Sequence, residues 1–551
     1  MLGPEYLDEA ADLVGAVYTE IEDEMLRYLS RLLLSGVDVL GQRGETALLL
    51  LAQARAADLM AIVERHRGDV SRAVEATVAD AIARSDAADL AVLGDAALPR
   101  AEGTLPMQAS LTARGIAEVL ARDNVDMQSG ALALWQSVVS RAVTRVNTGA
   151  STTEAALHAA VREMMRSGIS AVTYRDAETG RQTVTNRVDV AVRRHVRTQI
   201  QQDGLRRTME LCRASGCRLV EVTSHCGARP SHAEWQGNVY GLDGPCEVEG
   251  VSYRGLADAT GYGSVDGLGG ANCRHSFGPW APGTPRAYQP DPPHPSGLSN
   301  DEVYRLRQGQ RRRERAIRQA KRDLTGAQMC YEDRGDVNDL AAVLRAQDAL
   351  SKRQADMRAF IERSNGLGSA PVLHRNPRRE WAGDMPRTTL AASAQSKRRA
   401  REVLDLKKRC ARKHRPVYTE GKDDFGANMR ANFGKLAKEH EGEFLVGAHG
   451  SPQTVRLLGE RSDHRTLADV IRARRDYSPG TPIRLFSCST GREDGGDCIA
   501  QRLANELGVQ VTAPTDKLWL WPDGTVAIGR ELGDNDGEWI TFNPRGGADA
   551  D

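Results

Sequence analysis

The chain has 551 residues, of which 40% are hydrophobic, 5% aromatic and 27% charged, and its mean hydropathy is -0.47. That length exceeds what one hydrophobic core organises, so several domains are expected; Lys plus Arg balances Asp plus Glu at 74 each, which excludes a chain-wide bias towards nucleic acid. No run of roughly 18 apolar residues exists to span a membrane, the acidic N-terminus does not read as a secretory signal, and nine cysteines, an odd number, point to reduced thiols and cytoplasmic synthesis rather than a disulfide framework.

From Pro4 to about Ser167 the pattern is helical almost throughout. Leu7, Ala11, Val14, Val17 and Ile21 recur every three to four residues and make one apolar stripe. Residues 52–83, 123–146 and 152–165 read as further helices, so 1–167 is expected to be a helical scaffold without chemistry of its own. At Gly168 the pattern changes. Ile169 to Tyr174 alternates like a short strand, and Asp176 to Gly180 reads as a turn. Val188, Val192, Val196 and Ile200 then recur every four residues with Arg187, Arg193, Arg194 and Arg197 between them, which predicts a helix with a basic outer face. Arg218 to Ser224 is a strand, and it leads into the densest run of reactive residue types in the chain, Ser224 to Trp280.

That run opens SHCGARPSHAEWQG and closes GANCRHSFGPW. His225, Cys226, His232, Cys273 and His275 are candidate ligands for a zinc ion, which takes thiolate and imidazole donors. No C-x-x-C pair is present, and the competing reading is a hydrogen-bonded cluster. In it, His232, Glu234 and Arg274 tie two loops together over a small core of Trp235, Tyr240 and Trp280. Neither reading makes a metalloprotease, because no H-E-x-x-H helix is present. No cofactor is called for beyond that optional zinc.

Residues 281–297 are a Pro-rich linker, since proline breaks both helix and sheet ladders. Ser299 and Glu302 stand as a capping box before a long helix that carries Arg305, Arg307, Arg311, Arg312, Arg313, Arg315, Arg318 and Arg322. Leu340, Val343, Leu344, Leu350, Met357 and Ile361 then supply an apolar seam to about Ser364, which predicts a helical hairpin or coiled-coil arm over 289–365. Its basic block is either a solvated face or a contact for nucleic acid, through Arg311, Arg312, Arg313, Arg315 and Arg318. A second linker (366–389) and a basic helix from Ser393 to Arg415 complete 366–416.

The last segment, 417–551, reads α/β. Apolar strands at 444–448 and 483–487 end in His449-Gly450 and in Cys488, which places imidazole and thiol at the carboxyl edge of one sheet, where open α/β sheets hold their sites. A cysteine with a neighbouring base is a nucleophile, and the turn through Ser489 and Gly491, with Gly450 opposite, would offer backbone N–H groups to an oxyanion. Cys498 is the less favoured nucleophile and His464 reads as a surface residue.

Two resemblances follow. GARPSHAEWQG and GANCRHSFGPW, with the preceding AVRRHVRTQIQQ, resemble the phage minor capsid protein 2 family, allied to the Mu F and SPP1 gene 7 type minor head proteins, over about 168–288 and its flanking helices. The residues that carry it are Arg229, Pro230, His232, Glu234, Trp235, Gln236, Gly237, Asn272, Cys273, Arg274 and His275. The resemblance implies a virion protein in few copies near the portal vertex or inside the head, oligomeric there, with portal and major capsid proteins and phage DNA as partners. The order strand-His-Gly, then strand-Cys, resembles the caspase-like cysteine peptidases, and IRLFSCSTG…IAQRLANELGVQVTAP resembles C-terminal modules of bacterial polymorphic toxins. It implies a Cys488/His449 hydrolase or effector, although Ser487 to Gly491 departs from the caspase Q-A-C-x-G pattern. The expected fold is therefore multidomain: α-helical scaffold (1–167), small α+β module (168–288), helical arm (289–365), linker and basic helix (366–416), and a caspase-like α/β domain (417–551).

Overall fold

A computed structural model describes residues 2–35, 55–93, 98–147, 153–175, 182–383, 394–420, 423–493 and 497–545. The turn expected at Asp176 to Gly180, the start of the helix expected from residue 52, and the end of the second linker lie outside the described residues.

The N-terminal half begins with α1 (Pro4–Leu34), α2 (Ala56–Arg65), α3 (Arg67–Leu93), α4 (Leu98–Asn147) and α5 (Thr153–Ser167). Pro4 opens α1 at a first-turn position, where its missing N–H has no helical partner to lose. Of the stripe read from the sequence, Leu7, Ala11, Val14 and Ile21 are buried and Val17 is half-buried against the core, which Tyr18, Met25 and Leu29 also enter. A ribbon of β1 (Ser170–Arg175) and β2 (Gln182–Arg187) leads to α6 (Val188–Ala214). Val188, Val192, Val196 and Ile200 of α6 pack into that same core. Core packing therefore crosses the boundary expected at 167/168.

The opposite face of α6 is not an outer face. Arg193 and Arg197 are buried, Arg193 pairing with Asp12 at 3.1 Å and Asp189 at 2.8 Å, and Arg197 with Asp8 at 2.7 Å. Periodicity separates an apolar face from a polar one, but it cannot show that an acidic helix covers the polar one.

Next comes the module that holds the reactive run: β3 (Leu219–Val222), α7 (Pro230–Ala233), β4 (Val239–Gly241), β5 (Cys246–Val248), β6 (Val251–Tyr253), α8 (Leu256–Thr260) and β7 (Phe277–Trp280). β3 is the middle strand of an antiparallel sheet in the order β4-β3-β7. Its core holds Trp235, Tyr240, Phe277 and Cys273. Trp280, half-buried, lies tilted beside Tyr253, ring centroids 6.3 Å apart, instead of joining them.

The proline-rich stretch is irregular, as expected, and α9 (Asn300–Arg334) starts on the predicted capping box: Glu302 N–H donates to Ser299 Oγ at 3.4 Å and Ser299 N–H to Glu302 Oε2 at 2.9 Å. Gly335, in the left-handed region at φ 67°, ends α9 and turns the chain into α10 (Val337–Asn365). The helices form a hairpin but not a free arm. Met329 and Cys330 of α9 lie in the N-terminal core. The segment expected as a second linker also packs down: a 3-10 turn at Pro377–Glu380 carries Arg379, which pairs with Asp8 and Asp12 at 2.9 Å each.

The C-terminal domain holds α11 (Ala394–Ala411), α12 (Asp424–Glu439), β8 (Phe444–Gly447), β9 (His449–Gly450), β10 (Val455–Leu457), β11 (Glu460–Ser462), α13 (His464–Arg472), β12 (Ile483–Phe486), α14 (Ile499–Leu507), β13 (Val511–Pro514), the hairpin β14 (Leu518–Leu520) and β15 (Val526–Ile528), and β16 (Trp539–Phe542). Its main sheet runs β16-β13-β12-β8, with β8, β12 and β13 parallel and β16 antiparallel. α13 and α14 fill one face; α12 and the β14–β15 hairpin fill the other. The α/β expectation holds. α11 joins the halves, with Ala400 and Leu404 against Leu340 and Leu344, and Leu406 and Cys410 in the C-terminal core.

Candidate functional site

The sheet brings the two ends of the reactive run together. Beyond β3, Thr223 Oγ1 accepts from Ser276 N–H at 2.8 Å, which sets residues 224–226 beside His275. Gln236 holds the cluster in one orientation. Its Oε1 accepts from His225 N–H at 3.1 Å and its Nε2 donates to the Pro290 carbonyl at 3.2 Å, so the oxygen faces His275 Nε2 at 2.9 Å. Gly237 must be glycine: its φ is +65°, and a Cβ there would lie 2.2 Å from the Gln289 carbonyl oxygen.

His232 Nε2 lies 2.9 Å from the Asp266 carbonyl, its Nδ1 lies 3.4 Å from His275 Nδ1, and the His225 ring stacks on His275 with centroids 4.5 Å apart. Burial pushes His232 and His275 down from the usual histidine value, with the neighbouring imidazoles adding to the effect on His275. Burial and the Arg307 guanidinium push His225 down to about 4. All three are neutral at pH 7.

Of the five candidate metal ligands, His232, Cys273 and His275 converge, with donor atoms within 4.8 Å of one another. Two imidazoles and a thiol suit zinc, and the carbonyl acceptors at both outer nitrogens leave each Nδ1 lone pair facing inward. Arg229 and Arg274 lie close enough to depress His275, and that positive field opposes a cation. Cys226 lies elsewhere, among Val303, Val372 and Leu373. The expected tie through Glu234 is also absent: Glu234 is exposed, and Arg274 reaches α1 instead, at 3.0 Å from Asp8.

Beside this cluster lies a cavity of about 460 Å³, walled by α6, α9, the loops that carry Arg229 and Arg274, and Arg379. The basic block of α9 supplies one wall, because Arg307, Arg311, Arg315 and Arg318 fall three or four residues apart on one helix face. The nucleic-acid contact expected there divides as a result. Arg318 is buried and pairs with Asp189 at 3.4 Å. Arg313 pairs with Asp356 at 3.0 Å and lies over the Phe360 ring. Arg311 is half-buried in the cavity wall, and Arg312 and Arg315 are exposed. Sequence reasoning missed this cavity. Its one available signal was the acidic spacing of Asp8 and Asp12 on α1, which matches the basic spacing on α6.

In the C-terminal domain, β8 and β12 run parallel with Gly447 opposite Phe486, so His449 and Cys488 each stand two residues beyond paired positions. Their side chains are not joined by a hydrogen bond among the described residues. His449 Nε2 lies 3.5 Å from Asp423 Oδ1, which also caps α12. Cys488 Sγ accepts from Leu518 N–H at 3.4 Å, and burial pushes its thiol up, away from thiolate.

The expected oxyanion turn is not available either. Ser489 N–H donates to Asp516 and Gly491 N–H to Pro514, at 2.8 and 2.9 Å. Gly450 serves close packing: a Cβ there would lie 2.2 Å from Ser487 Oγ. Cys498 is buried at the head of α14, and His464 is half-buried rather than on the surface.

Compared with known families, the chain matches the model of Phage minor capsid protein 2 over residues 2–362 and that of a domain of unknown function (DUF8616) over residues 422–528. No curated protein and no solved structure matches it. Among the described residues, no helix is long and apolar enough to cross a membrane.

Proposed function

The chain belongs to the phage minor capsid protein 2 family, and from that premise we propose that it is a low-copy component of the phage head, at the portal vertex or in the head interior, which aids head morphogenesis or DNA delivery. Family membership implies a place in the virion. The observation that carries the reading is the coincidence of family and fold. The matched residues, 2–362, end close to the end of α10. Within them α1 to α6 and the end of α9 share one core, and α6 also supplies Leu205 and Cys212 to the core of the module that holds the reactive run. Portal and major capsid proteins are the proposed partners. A contact with packaged DNA would use the exposed Arg312 and the exposed Arg398, Arg399 and Arg401 of α11.

Purified particles of the phage that encodes the chain test this. The full chain is expected in DNA-filled particles at few copies, and a chain truncated after residue 393 is expected there at the same level. A protein abundant in the lysate but absent from particles would end the reading.

A second reading places a cysteine hydrolase or toxin-like effector of caspase-like pattern in the C-terminal domain. One observation favours it: His449 and Cys488 follow paired positions on adjacent parallel strands, with Asp423 beside the histidine. Catalysis would require His449 to turn from Asp423 towards the thiol. On this reading, induction of the full chain harms bacterial cells and Cys488→Ala abolishes the harm. Equal harm from the variant removes the dyad.

A further inference from the structure

We propose that the arginine-lined cavity between α6 and α9 binds a compact oligophosphate, an anion that carries three or more phosphoryl groups. Ten arginines and only two carboxylates, Asp12 and Glu314, face this space of about 460 Å³, which is the size of a small-molecule site (roughly 300–1,000 Å³). Asp8, Asp12 and Asp189 form ion pairs with five of the arginines.

Four others, Arg229, Arg307, Arg311 and Arg315, have no carboxylate within 4 Å among the described residues. Arg229 and Arg307 each make one bond, to the carbonyls of Ala271 and Cys226 at 2.7 and 2.9 Å. Each guanidinium has five N–H donors in a planar fork, so most of this donor capacity remains for a ligand. His225 also lines the space with a buried Nε2 that has no hydrogen-bond partner, and in its Nε2–H tautomer the neutral ring donates from there.

Burial and the neighbouring Arg274 pull Arg311 down to about 9, and burial lowers Arg307 too. A polyanion that enters between these forks relieves the repulsion and meets the bidentate geometry that arginine presents to phosphate. Phosphate fits better than a lone carboxylate because the free forks converge from a helix and a loop, so several oxygens on linked centres are needed to meet them. A nucleic-acid duplex is too thick for a space of this volume.

Thermal unfolding of the full chain with inorganic tripolyphosphate, at about 0.15 M salt so that surface attraction is screened, tests the site. A saturable rise in the midpoint is expected, with citrate much less effective. Arg307→Met and Arg311→Met are each expected to weaken binding about tenfold to a hundredfold. The ligand-free midpoint of Arg311→Met should stay level or rise, because a repelling charge is removed and no bond is lost; an arginine that merely braces the fold would lower it. Arg315→Met, at an exposed position, keeps the test sound if a buried variant misfolds. No saturable binding, binding unchanged in the variants, or short duplex DNA bound with the same arginine dependence would each overturn the proposal.

Discussion

Arg322→Met should destabilise the N-terminal unit by about 3–5 kcal/mol, the range for a buried ion pair that loses one partner. Arg322 on α9 and Glu22 on α1 are both buried and pair directly. Glu22 also accepts from Ile169 N–H at 2.8 Å, which ties in the chain just after α5. Burial pushes the Glu22 carboxyl up towards protonation, and Arg322 is the main group pulling it down. Without the arginine, Glu22 is either a lone buried charge or a buried acid short of partners, and both states cost free energy. The space is closed around the pair: Gly168 has φ +65°, and a Cβ there would lie 2.8 Å from Glu22 Oε1 and 3.1 Å from Arg322 Nη1. The double variant Glu22→Leu with Arg322→Met should recover most of the loss, since an apolar pair of similar volume avoids desolvating two charges. Denaturant unfolding measures both, and a single-variant loss below about 1 kcal/mol would sink the argument.

The second large effect is a loss of stability with rising pH, centred on His158. This side chain is buried at the corner between α5 and the α9–α10 hairpin, with Asp333 at 2.9 Å and Asp339 at 3.7 Å. Burial alone would lower its pKa, but the Asp339 carboxylate, the Cys330 thiol and the Asp333 carboxylate around the ring outweigh that and raise it to about 10. The unfolded value is about 6.5. A raised folded pKa means that the stabilisation is full below pH 6.5 and disappears as pH climbs through 10. The thermal midpoint should therefore fall between pH 7 and pH 10. His158→Gln should sit lower at pH 6, by about 1–3 kcal/mol for the lost charge-assisted bonds, and should converge with the parent protein near pH 10. Parallel curves for the two proteins across that window would refute the assignment.

Both predictions rest on charges that the sequence displays without showing how they meet. The N-terminal helix is visibly acidic and the helix after Ser299 visibly basic, but a run of arginines at helical spacing looks the same whether it faces water or a carboxylate 300 residues away. The apolar stripes, the capping box at Ser299 and Glu302, the proline-rich break, and the strands that end at His449 and Cys488 were all legible, because each follows from local rules of spacing and backbone geometry. The signature run pointed to the family for the same reason, since a short phrase carries its own identity.

Side-chain partnership was not legible. His449 lies beside Asp423, which caps a helix earlier in the chain, and the Cys488 thiol is held by a backbone N–H of Leu518. Of five candidate metal ligands, His232, Cys273 and His275 turn their donor atoms to one another; His225 stacks on His275 by its ring face, and Cys226 is drawn away because its loop packs under α9.

What the sequence determined alone is the long helices of the first half, the strands that lead to His449 and Cys488, the proline-rich break, and the family its first two-thirds belong to. These depend on contacts within a few turns of chain. What only the tertiary structure decided is where charge is buried and what neutralises it. Asp8, Asp12 and Asp189 hold five arginines from α6, α9 and two distant loops. Four more arginines are left facing a cavity. Coulomb energy depends on distance and desolvation in space, and neither is written in the order of the residues.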